Sequence, residues 1–298
     1  MTEPTTHTLK VPGATLTYDI RKNDATTEPP LLLIGSPMGA SGFGTLTGKF
    51  TDRTVVTYDP RGAERSVKDD PTTESTPDQH ADDLHRLIAE LGAGPVDMLA
   101  SSGGALNALA LVAQHPEDVR TLVAHEPPAS QYLPDREEAL AACVDIRETY
   151  LRSGFGAGMA KFIALVSFVG PIPADYTERP APDPAMFGLP TEDDGSRTDV
   201  LLAQNIVTGN YYKFDIEALR AAPTRVVIAI GEESDGILAA RAALAVAEQL
   251  GTTAVVFPGG HNGFMGDEYG PQMAGKPDAF AAKLREVLSA GVPAASGA

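Results

Sequence analysis

Six short runs of leucine and β-branched residues limit what this chain can fold into: LLLI (31–34), TVVTYD (54–59), VDMLA (96–100), VRTLVAH (119–125), RVVIAI (225–230) and TAVVF (253–257). Each is apolar on both faces and so needs cover on both, the requirement of parallel strands sandwiched between helices. The stretches between them supply that cover. TPDQHADDLHRLIAELG (76–92) opens on a capping Thr76 and Pro77 and stops at Gly92, and ALNALALVAQHP (105–116) halts at Pro116. ILAARAALAVAEQLG (237–251) repeats Ile237, Ala240, Leu244 and Ala247 on one face, and PDAFAAKLREVLSAG (277–291) runs from a proline to a glycine. This alternation implies an α/β fold with a doubly wound, mostly parallel sheet. Ahead of it, HTLKVPGATLTYDI alternates apolar and polar residues around Pro12-Gly13, as an antiparallel N-terminal hairpin does.

The rhythm breaks between residues 128 and 222, which hold helical patterns (135–153, 155–168 and 197–211) and a Pro- and acid-rich middle (170–195) but no strand pattern. With 298 residues there is room for one core domain carrying an insertion. Residues 1–127 and 223–298 are expected to form the core. Residues 128–222 are expected to form a mostly helical lid over the C-terminal edge of the sheet, where open α/β sheets bind ligands.

Charge narrows the partners. Forty acidic against 23 basic residues give a net charge of −17, which repels phosphate backbones and anionic membrane surfaces, and no Lys/Arg stripe offsets it. The richest apolar run, IALVSFVG (163–170), is too short to span a bilayer. MTEPTTHTLKVPG has neither a basic n-region nor an apolar h-region, so no secretory signal is expected. The single Cys143 cannot form an internal disulfide and suits a reducing compartment. The expected partner is a small-molecule substrate in the cytoplasm, with no nucleic acid and no membrane; a homo-oligomer stays open.

The stretch DMLASSGGALNAL (97–109) joins a strand to a helix through two serines. A nucleophile held on so tight a turn needs small residues two before and two after it. Ser101 would place Leu99 at the first of these positions. Ser102 places Ala100 and Gly104, so Ser102 is the candidate nucleophile and the Gly103 N–H the candidate oxyanion donor. Such a serine needs a base and the base an orienting acid. Of six histidines, His80, His85 and His115 fall on helices and His7 near the terminus, where solvated or capping roles are expected; His125 ends a strand. His261, in the loop FPGGHNGFMGDE after the last strand, is the candidate base. The acid is expected from GEESDG (231–236) as Asp235, with Glu232 and Glu233 nearer the strand as alternatives and Glu126, directly after VRTLVAH, as another.

Taken together, these motifs resemble the α/β-hydrolase superfamily from about residue 9 to 290. IGSPMGASGF (34–43) is similar to its His-Gly-x-Pro loop and DPRGAERS (59–66) to its Asp-x-Arg-Gly-x-Gly-x-Ser loop; ASSGG, GEESDG and GGHNGF follow as elbow, acid loop and histidine loop. The chain order Ser102, Asp235, His261 is that of the superfamily. The pattern is most similar to its small bacterial esterases and cofactor-free haloperoxidase-type members. Two departures stand out. Ile34 occupies the usual His position, removing a loop-supporting hydrogen bond, and Glu64 replaces a common Gly. With Pro37 aligned to the family proline, Ser36 is implied as the second oxyanion donor, or Met38 in a register shifted by one. The resemblance implies an α/β-hydrolase fold and a serine hydrolase that cleaves a carboxylic ester through an acyl-enzyme. C–C bond hydrolysis, perhydrolase or haloperoxidase-type activity with the same triad, and a non-catalytic ligand-binding role, are the alternatives.

No cofactor and no metal are expected. The glycines after LLLI do not follow G-x-G-x-x-G, Pro37 removes an amide needed at a pyrophosphate, and Asp59 belongs to the D-x-R-G loop. There is no Walker loop and no H-E-x-x-H, and the histidines are scattered. Phe155, Phe162, Phe168, Tyr176, Phe187, Tyr211 and Tyr212 of the insertion are open to two roles, acyl-pocket wall or the insertion's own core, with core favoured for any one of them.

Overall fold

Leu31 and Leu33 pack to one side of the third strand and Leu32 and Ile34 to the other, and all four are fully buried. This two-sided burial extends through the sheet of the computed structural model, which describes residues 3–290. The strands are β1 (Thr5–Val11), β2 (Ala14–Arg21), β3 (Leu31–Ile34), β4 (Val55–Asp59), β5 (Val67–Lys68), β6 (Val96–Ser101), β7 (Val119–His125), β8 (Arg225–Gly231) and β9 (Val255–Phe257). They lie in the order β1-β2-β4-β3-β6-β7-β8-β9, with β5 paired to β2. From β4 to β9 every neighbouring pair is parallel; β2 runs antiparallel to β1, β4 and β5. The expected N-terminal hairpin closes between Val11 and Ala14 with Gly13 at φ +75°. The two-residue β5 carries no hydrophobic pattern that the sequence would signal.

The helices are α1 (Gly44–Thr47), α2 (Pro77–Leu91), α3 (Gly103–Gln114), α4 (Arg136–Val166), α5 (Ile206–Asn210), α6 (Ile216–Ala221), α7 (Leu238–Leu250) and α8 (Pro277–Ser289). One face of the sheet packs on Leu84, Leu87 and Ile88 of α2, the apolar side of α3, and Ala243 and Val246 of α7. The other packs on Leu46 of α1 and on Phe280, Leu284 and Leu288 of α8. Helix α2 starts in a capping box: Thr76 Oγ1 accepts from the Gln79 N–H, and the Gln79 side chain accepts from the Thr76 N–H.

Between β7 and β8 there is no strand among the described residues. Helix α4 breaks at Gly154 (φ +84°), where a Cβ would lie 2.4 Å from Asp193 Oδ1. The helix expected over 197–211 starts at Val200, winds in wide π turns to Asn205 and tightens into α5. This excursion has its own apolar cluster, including Cys143, Ile146, Tyr150, Leu202 and Ile206, seated on Leu238 and Ala242 of α7. Phe155, Phe162, Phe168 and Tyr176 pack against that cluster, whereas Tyr212 packs on the main core and Phe187 and Tyr211 are exposed.

One charge is bound into the sheet itself. Asp97 on β6 has no exposed surface and accepts from Arg53 Nη2 at 2.8 Å and from Arg120 Nε and Nη2 at 2.9 and 2.6 Å. Asp97→Ala leaves the buried Arg53 guanidinium without its counter-charge. It is expected to lower unfolding free energy by about 3–5 kcal/mol, read by urea denaturation.

Candidate active site

β6 passes into α3 through Ser102, whose backbone stands at φ 57° and ψ −130°. A serine at positive φ stores roughly 1–3 kcal/mol of strain, tolerated only where its surroundings enforce it. The enforcing contacts are local. The Ser102 N–H donates to the His125 carbonyl at 2.9 Å, and the Ala105 N–H donates back to the Ser102 carbonyl at 2.9 Å. The backbone of residues 34–36 presses on the turn: a Cβ on Gly103 would fall 2.6 Å from the Ser36 carbonyl oxygen, and one on Gly104 2.8 Å from Gly35 Cα. The small residue two positions past Ser102 thus makes room for the loop after β3. Ser101 is buried beneath, its Oγ hydrogen-bonded to His125 Nδ1 at 3.3 Å.

Ser36, Gly103, Ser102 and His261 all line one cavity of about 590 Å³. Met38 is not among its lining residues; its side chain fills the space over Gly35 and Gly42. The loop that carries Ser36 is braced without the family's histidine. Glu64 Oε1 accepts from the Gly39 N–H at 2.9 Å and from Ser41 Oγ at 2.7 Å, and Asp59 Oδ1 accepts from the Ala40 N–H at 2.9 Å. Glu64, at φ 46°, keeps the backbone shape of the glycine it replaces and adds a brace.

The carboxylate that meets His261 is not Asp235, the one expected first, but Glu126, the alternative. His261 Nδ1 donates to Glu126 Oε2 at 2.6 Å, and the other oxygen, Oε1, accepts the Gly231 N–H at 2.7 Å. Glu126 is fully buried directly after β7, at φ 48°. Asp235 is exposed, and Glu232 and Glu233 are drawn to the surface by ion pairs to Lys276 Nζ at 2.6 and 2.7 Å. The physical reason is the geometry of neighbouring parallel strands. The ends of β7 and β8 lie side by side, and the Glu126 N–H donates to the Ala229 carbonyl of β8 at 2.9 Å. The carboxylate on the ring therefore comes from the end of β7, and β8 contributes an amide. Gly231 also permits the histidine loop to close in, since a Cβ there would lie 2.6 Å from the Gly259 carbonyl oxygen. Burial alone would push the Glu126 carboxyl up. The hydrogen bond from the His261 ring outweighs it, holding the carboxyl near a pKa of about 2.

Two imidazoles are locked neutral. His125 sits edge-on to Phe257, Phe264 and Phe280, and burial pushes its pKa down to about 4. His80, expected at a solvated or capping position, is instead 2% exposed and lines the cavity; burial, then the charge of Arg61, lowers it to about 3. An unfolded chain titrates these rings near 6.5 and takes up protons the native state refuses. Their contribution is therefore complete above about pH 6.5, and stability is expected to fall by roughly 3 kcal/mol per pH unit between about pH 6 and 4. Glu126, depressed below its unfolded value, adds loss in the same direction below about pH 4.5. Urea titrations across this range check the slope; a flat profile would contradict it.

Cys143 also lines the cavity, but burial raises its thiol to about 12, so it stays protonated and is no nucleophile. The expectation of scattered histidines needs correction away from the site. His85, His115 and Asp118 bring three ligand-type atoms within 4.8 Å, and His85 Nδ1 is hydrogen-bonded to Asp118 Oδ2 at 2.6 Å. The two rings stack at 3.8 Å with planes only 13° apart, so their in-plane lone pairs run side by side and do not converge on one point. No helix among the described residues is long and apolar enough to cross a membrane.

The α/β-hydrolase-fold family matches residues 46–268. An uncharacterized hydrolase of Bacillus subtilis, YraK, is 32% identical over 263 residues, 86% of this chain and 89% of that protein. Among solved structures, an esterase from Thermogutta terrifontis superposes with TM-score 0.64 at 21% identity, covering 96% of this chain and 98% of that one. An enol-lactonase from Burkholderia xenovorans superposes with TM-score 0.65 at 19% identity, covering 95% of this chain and all of that one.

Proposed function

The chain belongs to the α/β-hydrolase family, and from that premise we propose that it is a serine hydrolase acting on a carboxylic ester of a small molecule. The observation that carries this reading is the 2.6 Å bond between His261 Nδ1 and the buried Glu126, in a ring that shares a cavity with the strained Ser102. Holding Nδ1 protonated leaves Nε2 with the lone pair that a base needs. Ser102 Oγ attacks the ester carbonyl and His261 Nε2 takes its proton. The N–H groups of Gly103 and Ser36 receive the oxyanion, each such donor being worth about 3 kcal/mol of barrier. Collapse of the tetrahedral species expels the alcohol, protonated by His261, and leaves Ser102 acylated. Water, deprotonated by the same nitrogen, then attacks the acyl carbon, and the acid leaves as Ser102 Oγ takes the proton back from His261. Glu126 orients the ring and stabilises the imidazolium. The helical excursion over residues 128–222 acts as the lid, contributing Phe162, Leu201 and Ile206 to a mostly apolar wall.

An esterase and an enol-lactonase among the structural neighbours support an ester or lactone carbonyl as the electrophile. Pre-steady-state hydrolysis of p-nitrophenyl esters of rising acyl length tests the reading. A burst of about one equivalent of p-nitrophenolate is expected wherever deacylation limits turnover. Absence of turnover on every ester by folded protein would overturn it.

A further inference from the structure

His125 adjoins all three parts of the catalytic machinery and belongs to none of them. It ends β7 in register with Ser101, the last residue of β6, and the two side chains meet, Ser101 Oγ lying 3.3 Å from His125 Nδ1. The residue after each of them, Ser102 and Glu126, stands at positive φ, 57° and 48°. The pair therefore joins the two strands where both leave the sheet through strained turns, one carrying the nucleophile and the other the carboxylate on His261. The ring also reaches the histidine loop. Its centroid lies 6.3 Å from that of Phe264 and 6.2 Å from that of His261 itself. An imidazole is costly at this place. His125 has no exposed surface, and its Nε2 is buried without a hydrogen-bond partner beside Phe257, Phe264 and Phe280. A phenyl ring would suit that aromatic cage and strand no polar atom, but it has nothing to offer Ser101 Oγ. A polar ring kept at a cost to stability points to a task other than packing.

We propose that Ser101 and His125 are a pair of positioning residues: their side-chain link sets the separation of the Ser102 turn from the Glu126 turn, and the His125 ring props the histidine loop against both. The role rests on the serine-hydrolase reading. Neither residue lines the cavity, so both act through Ser102, Glu126 and His261 and not on substrate. The backbone bond from the Ser102 N–H to the His125 carbonyl, at 2.9 Å, survives any side-chain change, so the strands stay paired when the link alone is removed. Attack and proton transfer tolerate little displacement: about 1 Å of misplacement costs roughly 100-fold in rate. Slack between the two turns thus slows the chemistry and leaves the binding wall as it was.

The test follows labelling of Ser102 by an alkyl fluorophosphonate, whose saturation gives a maximal rate and a dissociation constant separately, beside urea unfolding of each variant. His125→Phe fills the cage and loses the link. Its unfolding midpoint is expected to equal or exceed that of wild type, with the maximal rate lower by about tenfold or more and the dissociation constant within about threefold. His125→Asn sets an amide atom where Nδ1 stood and empties the cage, so it should unfold more readily yet label within about threefold of the wild-type rate. Ser101→Ala removes one oxygen and should also slow labelling by about tenfold, which keeps the test in force if His125→Phe does not fold. Ser101→Ala/His125→Phe should be little slower than either single variant, as the two halves of one contact require. A packing role alone predicts the reverse order, with His125→Asn slow and His125→Phe near wild type. That order, a rate within about threefold of wild type in Ser101→Ala, or losses that multiply in the double variant overturn the pair. A folded wild type that does not label at Ser102 overturns the hydrolase reading itself, and the positioning role with it.

Discussion

Ser102→Ala should reduce kcat for p-nitrophenyl ester hydrolysis by about 10⁴- to 10⁶-fold with a much smaller change in KM. The size follows from what the hydroxyl alone does. Without Oγ no acyl-enzyme forms, and His261, Glu126 and the oxyanion amides are left to assist water at a carbonyl placed for another attacker. Since the cavity wall is untouched, substrate still binds. The neighbouring hydroxyl separates this from a general loss of structure. Ser101→Ala removes a buried hydrogen bond to His125 and should lower stability by about 1 kcal/mol while keeping the nucleophile. A large rate loss in Ser101→Ala with activity kept in Ser102→Ala would move the nucleophile by one residue.

The second large effect lies at the acid. Glu126→Gln is expected to lower kcat by about 10³- to 10⁴-fold, because an amide can present its NH₂ to Nδ1 and turn the imidazole to the wrong tautomer. Asp235→Asn, at an exposed position with the ring already held by Glu126, should change kcat by less than about twofold. The two variants also separate in stability. Glu126 accepts both the Gly231 amide and the His261 ring, so Glu126→Gln disturbs the junction of β7 and β8, whereas Asp235→Asn touches neither. Equal rate losses, or the larger loss at Asp235, would return the acid to the loop after β8.

This contrast marks where the sequence is readable. The strands are legible because Leu31 to Ile34 or Thr121 to His125 have no face for water, which leaves a parallel sheet covered by helices as the solution. The elbow is legible because the backbone of residues 34–36 leaves no room for a side chain at 103 or 104. The carboxylate on His261 is not, because β7 and β8 end side by side and the loops after both carry carboxylates in the sequence. Which one turns inward depends on a glutamate adopting φ 48°, a conformation that residue type does not signal. One clue is present: a carboxylate placed directly at the end of β7, behind its apolar LVA run, and followed by Pro127-Pro128, has to be buried and so needs a partner.

His80 was similarly readable. It falls with Ala81, Leu84, Leu87 and Ile88 on the buried stripe of α2, so helical spacing alone argues against a solvated imidazole. What spacing could not supply is the company it keeps. Asn205 arrives from a segment more than a hundred residues later, through π turns that no periodicity predicts. The reach of the sequence ends where the excursion meets the core, and the polar end of the cavity lies on that boundary.

The central claim is that Ser102 is the nucleophile activated by the His261–Glu126 pair. Its most direct test is mass mapping of the peptide modified by a fluorophosphonate, with labelling rates compared among wild type, Glu126→Gln and Asp235→Asn. The account predicts one adduct per chain, on Ser102, with labelling slowed by Glu126→Gln and unaffected by Asp235→Asn. An adduct on Ser101, or no adduct on folded protein, would contradict it.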